Sequence, residues 1–331
     1  MAAAAGVSVG TVSNVLNRPH QVSEATRERV ETAIADLGFV RNESARQLRS
    51  GASRAVGMIV IDSGNPFFAD VTRGAEDRVH EAGGVVLVGS SAGQTDRERQ
   101  YLELFEQQRV RGLLVTPTTD DPTGLEVFRR LRIPVVLVDR VPEGLGFSSV
   151  SVDDVEGGRL VGSHLVERGH RRLCFVGGPD RLRQIQERST GFRAAVAAVP
   201  EVRVRTITTG DLTLNAGRAA ADQIAALPAQ ERPEAVFAAN DLLAIGLLQG
   251  LLAHGLRVPT DVALVGYDDI DFAAAAAVPL SSVRQPREEL GRRAAEILYQ
   301  EIVALDEHRP AERTHVRFAP ELVERASTAR P

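Results

Sequence analysis

The stretch AVFAANDLLAIGLLQGLLAHGLRVPTDVALVG, Ala235–Gly266, decides the fold class. It begins with a short apolar run, Ala235–Ala238, that is typical of a buried strand, and it ends with another such run, Val262–Gly266. Between the two runs, Asp241–His254 has the length and the leucine content of a helix. A strand, a helix and a strand in this order predict a βαβ unit with parallel strands.

The same alternation continues in both directions from this unit. Further strands are predicted over Val56–Ile61, Val85–Gly89, Gly112–Thr116, Pro134–Asp139, Leu173–Gly177 and Val202–Thr208. Helices are predicted over Pro66–Ala82, Asp96–Gln108, Gly124–Leu131, Val155–Arg168, Glu187–Val199, Asn215–Leu227 and Arg287–Leu305. About ten strands are too many for one ordinary open sheet. We therefore expect an α/β core of two doubly wound parallel-sheet lobes, each with roughly five strands.

Composition fits a protein of two or three domains that stays in the cytoplasm. The chain has 331 residues, and 43% of them are hydrophobic. No apolar run reaches the ~18–20 residues that span a bilayer, and Met1–Gly6 lacks the basic and apolar segments of a signal peptide. The single cysteine, Cys174, has no partner for an internal disulfide. The sequence predicts no metal site, no cofactor and no membrane partner.

Polar residues follow several of the predicted strands. In open parallel sheets, ligands bind beyond the carboxyl ends of the strands. The segments in this position are Asp62–Asn65, Asp139–Arg140, Gly177–Gln186, Asn240–Asp241 and Asp268–Asp269. The sequence therefore places a binding site for a small molecule at these loops.

The first 54 residues have a different pattern, that of short helices. Ser8 is placed to cap a helix over Val9–Leu16, with Val9, Val12, Val15 and Leu16 as its apolar face. Ser23 is placed to cap a second helix, which Gly38 can end. Residues 1–54 carry seven Arg and five Asp or Glu, a net charge of +2, although the whole chain has a net charge of −5. This charge permits contact with nucleic acid without requiring it.

The head and three blocks of the core resemble the lactose-repressor (LacI/GalR-type) family of bacterial transcription regulators. The resemblance rests on GVSVGTVSNVLNRPHQVSEATRERVETAIADLGFVRNESARQLRSG in the head. It continues through NPFF (Asn65–Phe68), AANDLLAIG (Ala238–Gly246) and VGYDD (Val265–Asp269). It implies an all-α helix-turn-helix head over residues 1–41, a hinge helix and linker over 42–54, and a periplasmic-binding-protein-like core over 55–326.

In this family the head begins with a helix that lies before the position of Gly6, and the helix after it, here Val9–Leu16, enters the major groove of DNA. The resemblance implies that Val9, Gly10, Thr11, Ser13 and Asn14 face bases and phosphates, although Gly10 replaces the larger polar residue that is often found there. The hinge contributes a further set of DNA-binding residues, in which Leu48 is a wedge for the minor groove: Asn42, Ala45, Arg46 and Leu48. The partner is double-stranded DNA with a roughly palindromic operator, and a palindrome demands a homodimer.

The resemblance also implies an effector cleft between the lobes. Phe67 or Phe68 can stack on a sugar or base ring, and the Asp268 carboxylate can accept hydrogen bonds from hydroxyl or ring N–H groups. The other predicted effector residues are Ser91, Asp139, Gln186 and Asn240. Many relatives carry an Arg where this chain has Gln186, and Arg183 and Arg188 are expected to face other ways, which favours a neutral effector.

Two alternatives remain beside the repressor interpretation. Gly89–Gly93 reads Gly-Ser-Ser-Ala-Gly and matches the G-x-S-x-G nucleophile elbow of α/β-hydrolases, but Gly93, Gln94 and Thr95 separate it from the helix that should follow directly. No H-E-x-x-H or Walker motif is present, so no catalytic residue is predicted. A periplasmic-type binding protein without DNA function would share the lobes but would have no use for the head.

The family's chain crosses three times between the lobes, which sets the expected boundaries. The first lobe is expected over about 55–153 and 284–311, and the second over about 154–282 and 312–326. Only Met1–Ala5 precedes Gly6, whereas relatives carry a longer first helix. We therefore expect the natural start to lie upstream. A longer first helix would cover the apolar side chains of Val12 and Val15, and burial of apolar surface contributes about 25 cal/mol per Å². We expect the extended chain to bind DNA at least ~10-fold more tightly for this reason.

Overall fold

The computed structural model describes residues 1–38, 53–119, 121, 123–141, 146–197 and 199–329. Two compact units are present, Met1–Ser53 and Arg54–Pro331. The hinge residues Asn42, Ala45, Arg46 and Leu48 lie outside the described residues. Among the helices that the structure describes, none is long and apolar enough to cross a membrane.

The first unit holds helices α1 (Val9–Asn17) and α2 (Glu24–Asp36), joined by a short 3₁₀ turn, Pro19–Gln21. The Ser8 hydroxyl accepts a hydrogen bond from the Thr11 N–H, as a capping serine should. Ser23 stands at the equivalent position of α2, but its hydroxyl donates to Thr26 Oγ1 and does not cap the backbone. The expected cap of α1 is therefore present, and the side-chain cap of α2 is not.

The small core of this unit is formed by Ala5, Val12, Val15, Val30 and Ala33. The apolar face predicted for α1 holds for Val12 and Val15, but Val9 is 77% exposed. Val9 is the first residue of the helix, so it lies at the edge of the face that packs on α2.

The second unit contains two sheets of six strands. Its strands are β1 (Ala55–Val60), β2 (Val85–Ser90), β3 (Gly112–Val115), β4 (Val135–Val138), β5 (Ser148–Val152), β6 (Arg172–Gly177), β7 (Arg203–Thr208), β8 (Ala235–Ala238), β9 (Ala263–Asp268), β10 (Ser281–Arg284), β11 (His315–Phe318) and β12 (Glu321–Val323). Its helices are α3 (Pro66–Glu81), α4 (Thr95–Gln107), α5 (Thr123–Arg130), α6 (Asp154–Glu167), α7 (Arg183–Ala197), α8 (Leu214–Ala225), α9 (Asp241–Ala253), α10 (Asp271–Ala274) and α11 (Arg287–Asp306).

The two sheets repeat one topology. The first has the strand order β11-β5-β4-β3-β1-β2, and the second has β12-β10-β9-β8-β6-β7. Apart from the last strand of each, this is the 2-1-3-4-5 order of doubly wound sheets. All pairs are parallel except β10 with β12. The predicted fold class is confirmed, with one strand more in each lobe than expected.

We define the first lobe as β1–β5, α3–α5, α11 and β11, and the second lobe as α6–α10, β6–β10 and β12. Helix α11 packs on α3 and on β3, β4 and β5, which places it in the first lobe. The expected second lobe included the whole of residues 312–326, but β11 pairs with β5 and lies in the first sheet. The chain passes between the lobes three times, after β5, after β10 and after β11.

Pairs of glycines bring three helix pairs into close contact. In the pair α6–α7, a Cβ on Gly191 would lie 1.8 Å from the Val155 carbonyl oxygen, and a Cβ on Gly158 would lie 2.0 Å from that of Arg188. The same reciprocal arrangement joins α3 to α11 through Gly74 and Gly291, and α8 to α9 through Gly217 and Gly246. Each pair therefore packs backbone against backbone.

Candidate functional site

A small cavity lies between the carboxyl ends of the two sheets, where doubly wound folds bind ligands. Its free volume is about 40 Å³, whereas ligand pockets usually reach ~300–1,000 Å³. A sugar-sized molecule therefore needs the lining side chains or the lobes to move apart. The first lobe contributes Ile61, Asn65, Phe67, Phe68 and Asp139, and the second lobe contributes Leu182, Gln184, Ile185, Arg188, Leu212, Asn240 and Asp268.

Arg188 is the cation of the cavity and is 4% exposed. Its Nε donates to Asp154 Oδ1 at 2.8 Å, and its Nη1 donates to the Ala239 carbonyl at 2.7 Å. The guanidinium also stacks on the Tyr267 ring at 3.7 Å. Burial acts to lower the pKa of Arg188, but the nearby carboxylates raise it above its ordinary value. The guanidinium thus stays charged and held in one orientation.

Asp139 and Gln184 join the two lobes across the cavity. The Gln184 amide nitrogen donates to both the carbonyl and the Oδ2 of Asp139, each at 3.0 Å. Asp139 Oδ1 and Gln184 Oε1 are buried and have no hydrogen-bond partner among the residues that the structure describes. Burial, and then the Asp154 carboxylate, raise the pKa of Asp139 well above its ordinary value. These two oxygens are therefore available to accept hydrogen bonds from a ligand.

Asp268 is the last residue of β9 and has a φ of 106°, a backbone conformation that residues other than glycine rarely adopt. Its Oδ1 accepts a hydrogen bond from Gln285 Nε2 at 2.8 Å and lies 3.7 Å from Arg188 Nη1. Burial raises its pKa to about 6. The carboxylate faces the cavity with Arg188 as its counter-charge.

Aromatic and amide groups complete the lining. Phe67 and Phe68 lie edge to face with their ring centroids 5.0 Å apart, and both are buried. Asn240 caps α9 by accepting a hydrogen bond from the Leu243 N–H at 2.9 Å, and it donates to the Leu212 carbonyl at 3.3 Å. Asn240 is thus a structural cap whose edge borders the cavity.

The structure brings together five of the seven predicted effector residues: Phe67, Phe68, Asp139, Asn240 and Asp268. Ser91 is fully buried outside the cavity lining, and its hydroxyl donates to the Val60 carbonyl at 3.3 Å and accepts from the Gly93 N–H. The helix after this turn begins only at Thr95, so the hydroxyl is held by the turn and the elbow geometry is missing.

Gln186 also lies outside the lining, where its amide donates to the Asp180 carbonyl. Helix α7 begins at Arg183, four residues before the predicted start, and positions 184 and 188 then share the face that meets the cavity. Gln186 is half a turn away from Gln184. The expectation that Arg188 faces away from the effector site was therefore wrong. The argument that the site lacks a charged contact because Gln186 replaces an arginine falls with it.

In the first unit, the predicted DNA-facing residues lie along the outer side of α1. Val9, Gly10 and Asn14 are exposed, and Thr11 and Ser13 are half-buried. The Thr11 hydroxyl lies 2.9 Å from the Ser8 hydroxyl. Short polar side chains on an exposed helix face suit the edges of bases in a major groove.

Two family models match the chain. Residues 1–42 match the bacterial regulatory proteins of the lacI family, and residues 163–328 match the periplasmic binding protein-like domain. The PurR transcriptional repressor of Photobacterium profundum is 34% identical over 325 residues, which cover 98% of this chain and 96% of that protein. The ribose operon repressor of Escherichia coli is 34% identical over 325 residues, 98% of this chain and 97% of that protein.

Solved structures agree with these matches. The lac repressor dimer bound to operator and an anti-inducer has a TM-score of 0.81 at 26% identity, covering 99% of this chain and 97% of that chain. The CelR–cellobiose complex has a TM-score of 0.70 at 34% identity and covers 98% of both chains. A regulator from Enterococcus faecium with bound ribose has a TM-score of 0.73 at 26% identity, covering 83% of this chain and 98% of that chain. The chain belongs to the lacI family of bacterial regulatory proteins.

Proposed function

We propose that this protein is a transcriptional repressor of the cytoplasm whose affinity for an operator is controlled by a small effector bound between the lobes. The observation that carries the proposal is the cavity that places Arg188, Asp139 and Asp268 together beyond the ends of both sheets, in a chain that also has a helix-turn-helix unit. A binding protein without DNA function would not need the exposed polar face of α1.

We propose a neutral sugar of pentose size as the effector. Among the residues that the structure describes, the one cation of the lining is Arg188, and it is already paired with the Asp154 carboxylate at 2.8 Å, so the lining has no surplus positive charge to neutralise a phosphate. The unpaired oxygens of Asp139 and Gln184 suit the hydroxyl hydrogens of a sugar, and Phe67 or Phe68 suits the apolar face of its ring. The ribose operon repressor and the ribose-bound regulator among the similar proteins support this choice.

The effector test is calorimetric titration with D-ribose, cellobiose and hypoxanthine. We expect D-ribose to bind and Asp268→Ala to lose its binding, while the affinity of the variant for DNA stays within about twofold of the natural chain. Asp211→Ala is the matched control, because Asp211 lies in an exposed loop and the hydrogen bonds that it accepts from described residues all come from Thr213 in its own turn. If hypoxanthine binds and the sugars do not, the proposed effector is wrong and a purine base takes its place. If Asp268→Ala binds D-ribose as tightly as the natural chain, the proposed site is wrong.

The DNA-binding surface is proposed to consist of Val9, Gly10, Thr11, Ser13 and Asn14 on α1. The hinge residues Asn42, Ala45, Arg46 and Leu48 are proposed to complete it, with Leu48 in the minor groove. An operator selected from random DNA should be roughly palindromic. Asn14→Ala and Leu48→Ala should each weaken binding to this operator at least ~10-fold, with little change on random DNA. An equal loss on both DNAs would assign these residues to folding or to phosphate contact.

A further inference from the structure

The segment Asp268–Ile270, which begins with the last residue of β9, separates two chemically different spaces. On one side is the effector cavity, which the Asp268 side chain lines. On the other side is a charged cleft of about 460 Å³, which Asp269 lines together with residues of α3 and α11. Asp268 and Asp269 both have positive φ angles, 106° and 52°. Two successive residues in this region persist only where their surroundings hold them.

Hydrogen bonds hold this segment at each residue. The Asp268 carboxylate accepts from Gln285 Nε2 at 2.8 Å. The Asp269 N–H donates to Ser282 Oγ at 3.1 Å, and the Ile270 N–H donates to Asp241 Oδ2 at 2.9 Å. The same short segment therefore holds the Asp268 side chain in the cavity lining and Asp269 in the lining of the cleft.

The cleft side of the segment is bonded to arginines. The Asp269 carboxylate pairs with Arg284 at 2.8 Å and with Arg325 at 2.6 Å. Its carbonyl oxygen accepts a hydrogen bond from Arg287 NH1 at 2.8 Å. The same guanidinium pairs with Asp70 at 3.1 Å and with Asp271 at 3.3 Å, and its side chain is 16% exposed.

Arg287 consequently connects the two lobes. It is the first residue of α11, and Asp70 lies on α3, so both belong to the first lobe. Asp269 and Asp271 belong to the second lobe. The close backbone contacts at Gly74 and Gly291 hold α3 and α11 together. Arg287 therefore bonds the Asp269 carbonyl of the second lobe to a closely packed helix pair of the first lobe.

We propose that Arg287 is a positioning residue that couples the effector cavity to the spacing of the lobes through the strained Asp268–Ile270 segment. The coupling to an effector rests on the proposed function above. Arg287 is not among the described residues that line the cavity, so it acts through its contacts with Asp70, Asp271 and the Asp269 carbonyl, which hold the second lobe to α3 and α11.

The test measures the distance between the lobes by pulsed electron paramagnetic resonance. Spin labels are attached at Glu103→Cys on α4 and Gln223→Cys on α8, both exposed positions. The native Cys174 is buried, and burial raises the pKa of its thiol to about 12, so it does not compete for the label. Labelled protein is diluted into a roughly tenfold excess of unlabelled protein, so that subunits carrying labels do not pair with each other.

Arg287→Met is compared with Arg292→Met. Arg292 joins α11 to α3 within the first lobe, because two of its guanidinium nitrogens donate to Glu81 Oε1 at 2.6 and 3.0 Å. Without any added ligand, we expect a longer or broader distance distribution for Arg287→Met and an unchanged one for Arg292→Met. An unchanged distribution for Arg287→Met, or the same change in both variants, overturns the proposal.

A second part of the experiment measures the binding of D-ribose and of a selected operator. We expect Arg287→Met to bind each of them within about threefold of the natural chain, but to lose at least tenfold of the effect that D-ribose has on operator affinity. If the coupling persists in Arg287→Met, the proposal is overturned. If the natural chain itself does not respond to D-ribose, the proposed effector fails, while the ligand-free distances still decide the role of Arg287.

Discussion

The buried carboxylate of Asp268 is expected to contribute to the pH dependence of the protein's stability, together with Asp139 and Asp241, whose pKa values burial also raises. Burial raises its pKa to about 6 from an ordinary value near 3.8. At pH 5 the folded protein therefore holds a proton that the unfolded chain has released. Since the folded state binds more protons in this range, the free energy of unfolding falls as the pH rises from about 4 to about 7.

The variant Asp268→Asn cannot ionise and should lack this part of the pH dependence. We expect its stability relative to the natural chain to improve by on the order of 1–3 kcal/mol between pH 4 and pH 8. Urea unfolding of both proteins at several pH values measures the difference. Parallel stability curves would show that Asp268 titrates alike in the folded and unfolded states.

Single residues also show where sequence reasoning reached its limit. Asp268, Asp139 and Asn240 could be predicted because they directly follow apolar strands that the sequence displays. Gln184 and Arg188 could not, because their selection depends on which face of α7 meets the cavity, and the apolar pattern placed the start of that helix four residues late. The i, i+4 spacing of Gln184 and Arg188 was the available signal.

Among the elements, the strands β5 and β10 escaped the sequence analysis. They read SSVSV and SSVR, and their serines are buried. Most of these serines bond groups from distant segments: Ser148 bonds Glu301, Ser281 bonds Thr328 and the Arg325 carbonyl, and Ser282 bonds Asp241. A buried polar strand is stable only when such partners exist, and they come from distant parts of the chain that periodicity does not reveal.

Helix α1 offers a test of capping with an internal control. Ser8 accepts a hydrogen bond from the Thr11 N–H at 3.0 Å, whereas Ser23 makes no such bond to α2. We expect Ser8→Ala to destabilise the first unit by about 1 kcal/mol and Ser23→Ala to have a smaller effect. Hydrogen exchange of the α1 and α2 amides in the full chain measures both. Equal losses would mean that the hydroxyl bond at Ser8 is not the stabilising feature.

The glycine contacts between α6 and α7 predict a large effect from a small substitution. An alanine at position 191 would place its Cβ 1.8 Å from the Val155 carbonyl oxygen, so the helices must separate. We expect Gly191→Ala to destabilise the second unit by about 1–3 kcal/mol or more, measured by thermal unfolding. Gly210→Ala is the control, because no heavy atom of the described residues, apart from its own and its chain neighbours', lies within 4 Å of the added Cβ, and it should change stability by less than ~0.5 kcal/mol.

At the scale of the whole molecule, we expect a homodimer. A palindromic operator requires two heads related by a two-fold axis. Light scattering of the full chain at micromolar concentration should give twice the 35.6 kDa mass of the subunit. A stable monomer or tetramer would contradict this expectation.

The three passages of the chain between the lobes bear on how such proteins can be recombined. The first unit is one continuous segment, Met1–Ser53, and a single junction suffices to exchange it between relatives. A lobe has no such freedom, since replacing it requires new junctions after β5, β10 and β11 at once. The specificity for DNA can thus be inherited as a cassette, whereas the specificity for effector has to change residue by residue within a core that is kept whole.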